Sequence, residues 1–180
     1  MASASYPNYN PTDYWKFDQK WLKNPVISEG YEPGSTFKTV VMAAALDSGA
    51  VEPDTKCDIC AGPINIGQYL IRTWDGKYHP EIDMTDTIVH SDNTGMVFAA
   101  GKLGKDKLLE YIKKFGFGNL SGIDLQGEIS PGLRPELKDI DLATTAFGQG
   151  IAVTTIQMLR AVSAIANGGV METPLVAGKI

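Results

Sequence analysis

An α+β fold in which helices outweigh strands is what this sequence predicts. Long β-branched runs are scarce, apolar residues recur at helical spacing between recognisable caps, and the strand-like pieces are short. With 180 residues, 43% of them hydrophobic and 21% charged, the chain has the size and composition of one globular domain with a core.

The elements follow in order. Met1–Tyr6 alternates weakly and is expected to be a short strand. The stretch after it, "YPNYNPTDYW", is turn-rich and punctuated by Pro7 and Pro11. Ser35–Asp47 is expected to be a helix, since Ala and Leu favour it and Gly49 stands where a C-terminal cap belongs. Residues 50–83 are irregular, with strand-like pieces at Pro63–Ile66 and Tyr69–Trp74. Helices are then expected over Thr85–His90, over Thr94–Leu103 with Gly104 as its stop, and over Lys105–Phe115. The last of these is amphipathic, with Leu108, Leu109, Ile112 and Phe115 on one face. A Gly/Pro-rich loop leads to a helix over Ile140–Phe147. A longer helix spans Thr155–Ala166, capped by Thr154 or Thr155 and closed by Asn167-Gly168. Its apolar face is expected to be Ile156, Leu159, Val162 and Ile165. No internal repeat or linker interrupts the chain.

Several function classes are disfavoured. A net charge of -5 without a basic stripe argues against nucleic acid as a partner. The longest apolar run, Val40–Leu46, is far too short to cross a bilayer. The N-terminus has neither the positive nor the apolar region of a signal peptide. Cys57 and Cys60 lack histidines at zinc-finger spacing, so no metal is expected. They form a local disulfide or remain two inert thiols.

Chemistry concentrates in "YEPGSTFKTVVMAAALDSG", Tyr31–Gly49. Ser35 and Lys38, three apart, would share a helix face. A serine hydroxyl needs a base, and a lysine can serve only if burial depresses its pKa. The apolar run behind Lys38 supplies such a wall, and a helix start supplies N–H groups for an oxyanion. Taken alone, a bare SxxK occurs often by chance, and a serine near a helix start is usually a plain cap. A second motif, Ser91-Asp92-Asn93, alters that balance, since SxxK with SDN belongs to a known acyl-transfer signature. There Ser91 would relay a proton to a leaving amine, and Asn93 would hold a substrate amide and bond Lys38.

With "FGQGIAVTTIQM" added, the chain resembles the transpeptidase domain of class B, monofunctional penicillin-binding proteins. "ASYPNYNP" looks like the segment that precedes the family's serine motif, and "FGFG…GIDLQGE" like its later connection. The resemblance implies the penicillin-recognising, serine β-lactamase-like α+β fold, with residues 1–180 the central part of one transpeptidase domain, mostly its helical subdomain. It implies a D,D-transpeptidase in which Ser35 attacks the penultimate D-alanine of a peptidoglycan stem peptide, with Lys38 as base, Ser91 as proton relay and Asn93 positioning the donor. Gly34, Asp92, Gln149 and Gly150 complete the expected substrate-binding set. No cofactor is implied. The expected partners are D-Ala-D-Ala donors, amine acceptors, β-lactam antibiotics and cell-wall or division proteins, on the extracytoplasmic face of the bacterial membrane.

Two other readings share the motifs. A serine β-lactamase would also need a base for water. "RPELKD" is only faintly like its Glu-bearing loop, since Lys138 follows Leu137 where Asn is expected, so Glu136 is read as a solvated carboxylate. A class D enzyme would want valine where Asn93 stands. A β-lactam-sensing or non-catalytic domain is the remaining alternative. Of the other residues, His90 is expected to pack or lie on the surface, and Trp15, Trp21 and Trp74 to be wedge or core aromatics, with a groove-side place open to Trp74. Gly148 and Gly150 should make a tight turn around Gln149, and Tyr31 and Glu32 are read as structural.

The family's third motif, Lys-Thr/Ser-Gly, is missing; Lys179 is followed by Ile180. The chain alone is therefore expected to be marginally stable, with little transpeptidase activity. Far-UV circular dichroism and fluorescent-penicillin labelling test this. Shallow melting with slow labelling is expected, and cooperative melting with fast labelling would contradict it.

Overall fold

The structure, a computed structural model, describes residue 4 and residues 6–178. The strand expected over Met1–Tyr6 lies largely outside those residues.

The chain first makes 3-10 turns at Pro11–Lys16 and Gln19–Leu22, each started by a side-chain cap, Asn10 and Asp18. A single helical turn, α1 (Pro25–Ser28), leads through β1 (Gly30–Tyr31) to a 3-10 turn at Gly34–Phe37 and then to α2 (Lys38–Asp47). The sequence predicts one continuous helix from Ser35, but its first turn is wound more tightly. Apolar periodicity does not distinguish the two windings over four residues. Gly49 ends α2 as expected: Ala50 N–H donates to Ala45 O and Gly49 N–H to Leu46 O, the paired bonds of a Schellman motif.

In the irregular segment Cys57 and Cys60 form a disulfide, and both are buried. A hairpin follows, β2 (Ile64–Ile66) against β3 (Tyr69–Ile71), in register Ile64 with Ile71. The remaining helices are α3 (Met84–Val89), α4 (Asn93–Leu103), α5 (Lys105–Lys114), α6 (Asp139–Ala146) and α7 (Thr155–Ala166). Each lies within a residue or two of its expected place, because each carries its own boundary signals. Asp92, for instance, caps α4 through Thr94 N–H and Gly95 N–H, and Thr154 forms a capping box with Gln157 on α7. Just before α7, β4 (Val153–Thr154) pairs antiparallel with β1, Tyr31 opposite Val153.

The core gathers around α2 and α4, which pack on each other, with α6 against the other side of α4. Both inner helices bury residues around most of their circumference, as their uniformly apolar sequences require. Phe37 meets Phe117 edge-on at 5.2 Å and ties the 3-10 turn to the loop after α5. Gln157 Nε2 donates to Asn119 O at 2.8 Å and anchors that loop to α7.

Two expectations need correction. On α7 the buried residues are Ile156, Gln157, Met158, Ala161 and Ala164, whereas Val162 and Ile165 remain 43% and 40% exposed. The small alanines let α7 approach the core closely, and the branched side chains expected to do so face outward. Trp15 and Trp74 are not core, being 65% and 75% exposed, whereas Trp21 is half-buried beside Phe17.

Helices α3 and α4 meet at Gly95, where an added Cβ would collide with the buried Thr87 side chain. Gly95→Ala should therefore destabilise the fold by about 1–3 kcal/mol despite its better helix propensity. Urea unfolding measures this; an unchanged or higher midpoint would show that the contact relaxes freely.

Candidate active site

Pro33 and Gly34 turn the chain into the 3-10 turn that carries Ser35. In a 3-10 helix residues three apart eclipse one another, so Ser35 and Lys38 stand on one side of it. Their surroundings differ. Ser35 is exposed, while Lys38 is 2% exposed.

The Lys38 amine is held by three acceptors from the corner between α3 and α4. Its Nζ donates to Ser91 O at 2.6 Å, Asn93 Oδ1 at 2.7 Å and Ser91 Oγ at 3.0 Å. An ammonium has three N–H bonds, and these three contacts use all of them. The Asn93 amide is oriented from behind, since its Nδ2 donates to Arg72 O at 2.8 Å. Ser91 has φ +52, an uncommon conformation for a residue with a side chain. In that conformation both its carbonyl and its hydroxyl reach Lys38. Flanking bonds hold it there, from Ser91 N–H to Ile88 O and from Asp92 N–H to Thr87 O.

Burial pushes the Lys38 pKa down, to about 8, and the negative charge of Asp92 pushes against that fall. Burial also raises Asp92. Hydrogen bonds from the Thr94 hydroxyl, Gly95 N–H, His79 and Thr94 N–H nevertheless bring it below the usual carboxylate value. Lys38 is thus a buried amine that loses its proton near neutral pH, beside a carboxylate that stays ionised.

The other side of the site is a clasp between residues 32–34 and 148–150. Gly34 N–H donates to Gly148 O at 2.9 Å, and Gly150 N–H donates to Glu32 Oε1 at 2.9 Å. Gly148 has φ +79, and a Cβ there would run into the Gly34 carbonyl, so only glycine permits the approach. Gln149 and Gly150 are exposed at the tip of this turn.

The structure thus joins Lys38, Ser91 and Asn93 directly, and brings Gly34, Gln149 and Gly150 together beside Ser35. Asp92 is a correction. Its side chain is buried and committed to Thr94, Gly95 and His79, so it supports α4 and the local charge instead of contacting a substrate. In a tight turn into a helix, alternate residues of Ser-Asp-Asn face opposite ways. Glu32 does more than the sequence indicated, because its carboxylate spans to Gly150. Arg72 contributes only a backbone carbonyl, for which side-chain identity gives no signal. Trp74 donates from Nε1 to His90 O at 3.3 Å, and Glu136 stands exposed. Among the described residues no group of three or more His, Cys, Asp or Glu could hold a metal. A groove of about 1020 Å³, lined by Tyr9, Trp21, Ile27, Leu125, Ile156 and Leu159 among others, contains none of the site residues.

Known proteins share this chain's pattern. The penicillin binding protein transpeptidase domain model matches residues 1–180. Stage V sporulation protein D of Bacillus subtilis is 39% identical over 180 residues, covering 98% of this chain and 28% of that protein. Peptidoglycan D,D-transpeptidase FtsI of Escherichia coli is 31% identical over 173 residues, covering 94% of this chain and 29% of that protein. The chain therefore spans under a third of the length of these curated relatives. Among solved structures, a peptidoglycan glycosyltransferase from Burkholderia ambifaria superposes with a TM-score of 0.82 at 24% identity, over 88% of this chain and 50% of that one. That likeness shows the α+β fold.

The depressed Lys38 can be measured directly. In a ¹³C titration of the lysine ε-carbons, one resonance should move with a midpoint of about 8, well below the unfolded-chain value of about 10.4. Between those two values the unfolded chain binds more protons, so Lys38 makes folding stability rise with pH through that window and contributes no slope below it. Lys38→Met should remove that part of the slope in denaturant unfolding at pH 7 and pH 10. A lysine spectrum with no early-titrating signal would contradict the burial.

Proposed function

The chain belongs to the penicillin binding protein transpeptidase domain family, and on that premise we propose that it carries the serine acyl-transfer centre of a peptidoglycan D,D-transpeptidase. The observation that carries the proposal is the buried Lys38 amine, held by Ser91 and Asn93 one 3-10 turn from an exposed Ser35.

In this reaction Ser35 Oγ attacks the carbonyl carbon of the penultimate D-alanine, and neutral Lys38 takes the hydroxyl proton. Gly34 N–H is committed to Gly148 O, so the backbone N–H of Ser35 is the group from this turn that would face the developing oxyanion. As the tetrahedral intermediate collapses, the peptide C–N bond breaks and Ser91 passes a proton to the departing D-alanine amine, leaving an ester on Ser35. Asn93 and the exposed 149–150 tip hold the donor strand. An acceptor amine on a second stem peptide then attacks the ester, restores the Ser35 hydroxyl and leaves the cross-link. A β-lactam acylates the same oxygen as its ring C–N bond breaks, and because the released amine stays tethered to the acyl group it remains in the site where the acceptor would have to attack the ester. The reaction places the site on the extracytoplasmic side, where stem peptides are cross-linked. Among the described residues no helix is long and apolar enough to cross a membrane.

Prolonged exposure to a fluorescent penicillin, followed by mass spectrometry of the digested protein, tests the proposal. The adduct is expected on the peptide bearing Ser35, formed slowly because the Lys-Thr/Ser-Gly motif is not among these residues. Ser35→Ala should abolish it without altering the circular dichroism spectrum. Ser91→Ala should slow it about 10²-fold, the usual worth of a general acid–base group. An adduct that persists in Ser35→Ala would sink the assignment.

A further inference from the structure

His79 lies in the loop before α3, at a position no motif singles out, yet it is wired to the centre of the site. Its Nδ1 is 3.3 Å from Asp92 Oδ2, and its ring stacks on His90 with centroids 4.8 Å apart and planes 16° apart. An ionised carboxylate can only accept, so Nδ1 carries the proton and donates. The two Asp92 oxygens divide the work. Oδ1 takes Thr94 N–H, the Thr94 hydroxyl and Gly95 N–H at the head of α4, while Oδ2 takes His79. Asp92 is also flanked in sequence by the two residues that hold Lys38.

We propose that His79 is a positioning residue of this site: acting through Asp92, it holds the Ser91–Asn93 corner on Lys38 and tempers the negative charge that Lys38 faces. The inference deepens the acyl-transfer reading above, since it names a residue that adjusts the basicity which burial confers on the general base.

The physical basis is direct. Asp92 is buried beside Lys38, and its charge favours the protonated amine. A donor on Oδ2 draws electron density outward and weakens that field. The groups that bear on His79 are Asp92 from the head of α4 and His90 from the end of α3. The charged residues on its own loop include Asp75 and Lys77, which pair with each other at 3.9 Å, the exposed Glu81, and Asp83, which pairs with Lys56. Of these groups, Asp92 is the one tied both to His79 by a hydrogen bond and to Lys38 by its charge. The imidazole is half-buried at the rim, while its carboxylate partner is buried.

Two substitutions separate packing from hydrogen bonding. His79→Phe keeps an aromatic ring to stack on His90 but has no donor. His79→Asn lacks the ring, yet its amide nitrogen occupies nearly the position of Nδ1. The primary readout is the ¹³C titration of Lys38, which needs no activity. In His79→Phe its midpoint should rise by about half a unit, which cuts the neutral fraction at pH 7 about threefold. In His79→Asn it should return to within about 0.2 unit of the parent. The penicillin acylation rate at pH 7 should fall about threefold in His79→Phe and recover in His79→Asn, with the profile displaced along the pH axis. A Lys38 midpoint that does not move in His79→Phe, or that moves equally in both variants, overturns the proposal. If the parent protein fails to acylate at all, the acyl-transfer reading falls, and the Lys38 titration still decides the role of His79.

Discussion

A lysine amine enclosed by three oxygen acceptors is the constraint around which this molecule is arranged. Removing an ammonium from water costs several kcal/mol unless its donors are met. At Lys38 they are met by Ser91 O, Ser91 Oγ and Asn93 Oδ1, all from one corner. Apart from the nearby Asp92 charge the surroundings are largely apolar, because Lys38 opens a helix whose wide buried face packs on the buried helix α4. Such a setting neither rejects the charge nor secures it. The outcome is an amine poised to exchange its proton near neutral pH, which an exposed lysine would not do.

That arrangement places demands on the corner that serves it. Three consecutive residues must send side chains in two directions, Ser91 and Asn93 toward Lys38 and Asp92 away into the base of α4. The left-handed backbone at Ser91 makes the division possible, and it costs of order 1 kcal/mol or more. The surrounding bonds over-determine it: Asp92 N–H on Thr87 O, Asp92 Oδ1 on the first turn of α4, and the Gly95 backbone against Thr87. Stability in the α3–α4 contact and geometry at the base are therefore the same property.

What the sequence disclosed follows from where information resides in side chains. Helix ends were legible because Asp92, Gly104 and Thr154 signal boundaries locally. The two strands of the hairpin were legible as short strand-like pieces, though not their pairing. Ser35, Lys38, Ser91 and Asn93 stood out as two motifs whose residue types suit the proposed chemistry, and the fold brings Lys38, Ser91 and Asn93 together. What stayed hidden depends on long-range approach or on backbone atoms. The β1–β4 pairing joins two-residue strands more than a hundred positions apart, too short for any period. The Arg72 carbonyl that orients Asn93 is invisible in a list of side chains. The α7 face was misjudged because hydrophobicity favours Val162 and Ile165, whereas close packing favours Ala161 and Ala164. Asp92 was misjudged because membership in a motif says nothing about direction.

The three bonds to Lys38 are unequal in a way that suits the proposed reaction. The two shorter ones, 2.6 and 2.7 Å, end on a backbone carbonyl and an amide oxygen, which can only accept. The longest, 3.0 Å, ends on a hydroxyl, which can also donate. When Lys38 loses a proton it keeps two N–H bonds and gains a lone pair. The two N–H bonds stay with the carbonyl and the amide, and the Ser91 hydroxyl can rotate to donate into the lone pair until the Ser35 hydroxyl takes its place. No acceptor is orphaned in the buried site, so neutralising the base carries no penalty of an unmet hydrogen bond. In the proposed reaction the same reversal would let Ser91 carry a proton between Lys38 and a leaving amine, since its hydroxyl is the one member of the set that can change direction. Replacing it with alanine would leave both the charged and the neutral amine one partner short, and the base would be harder to keep buried in either state.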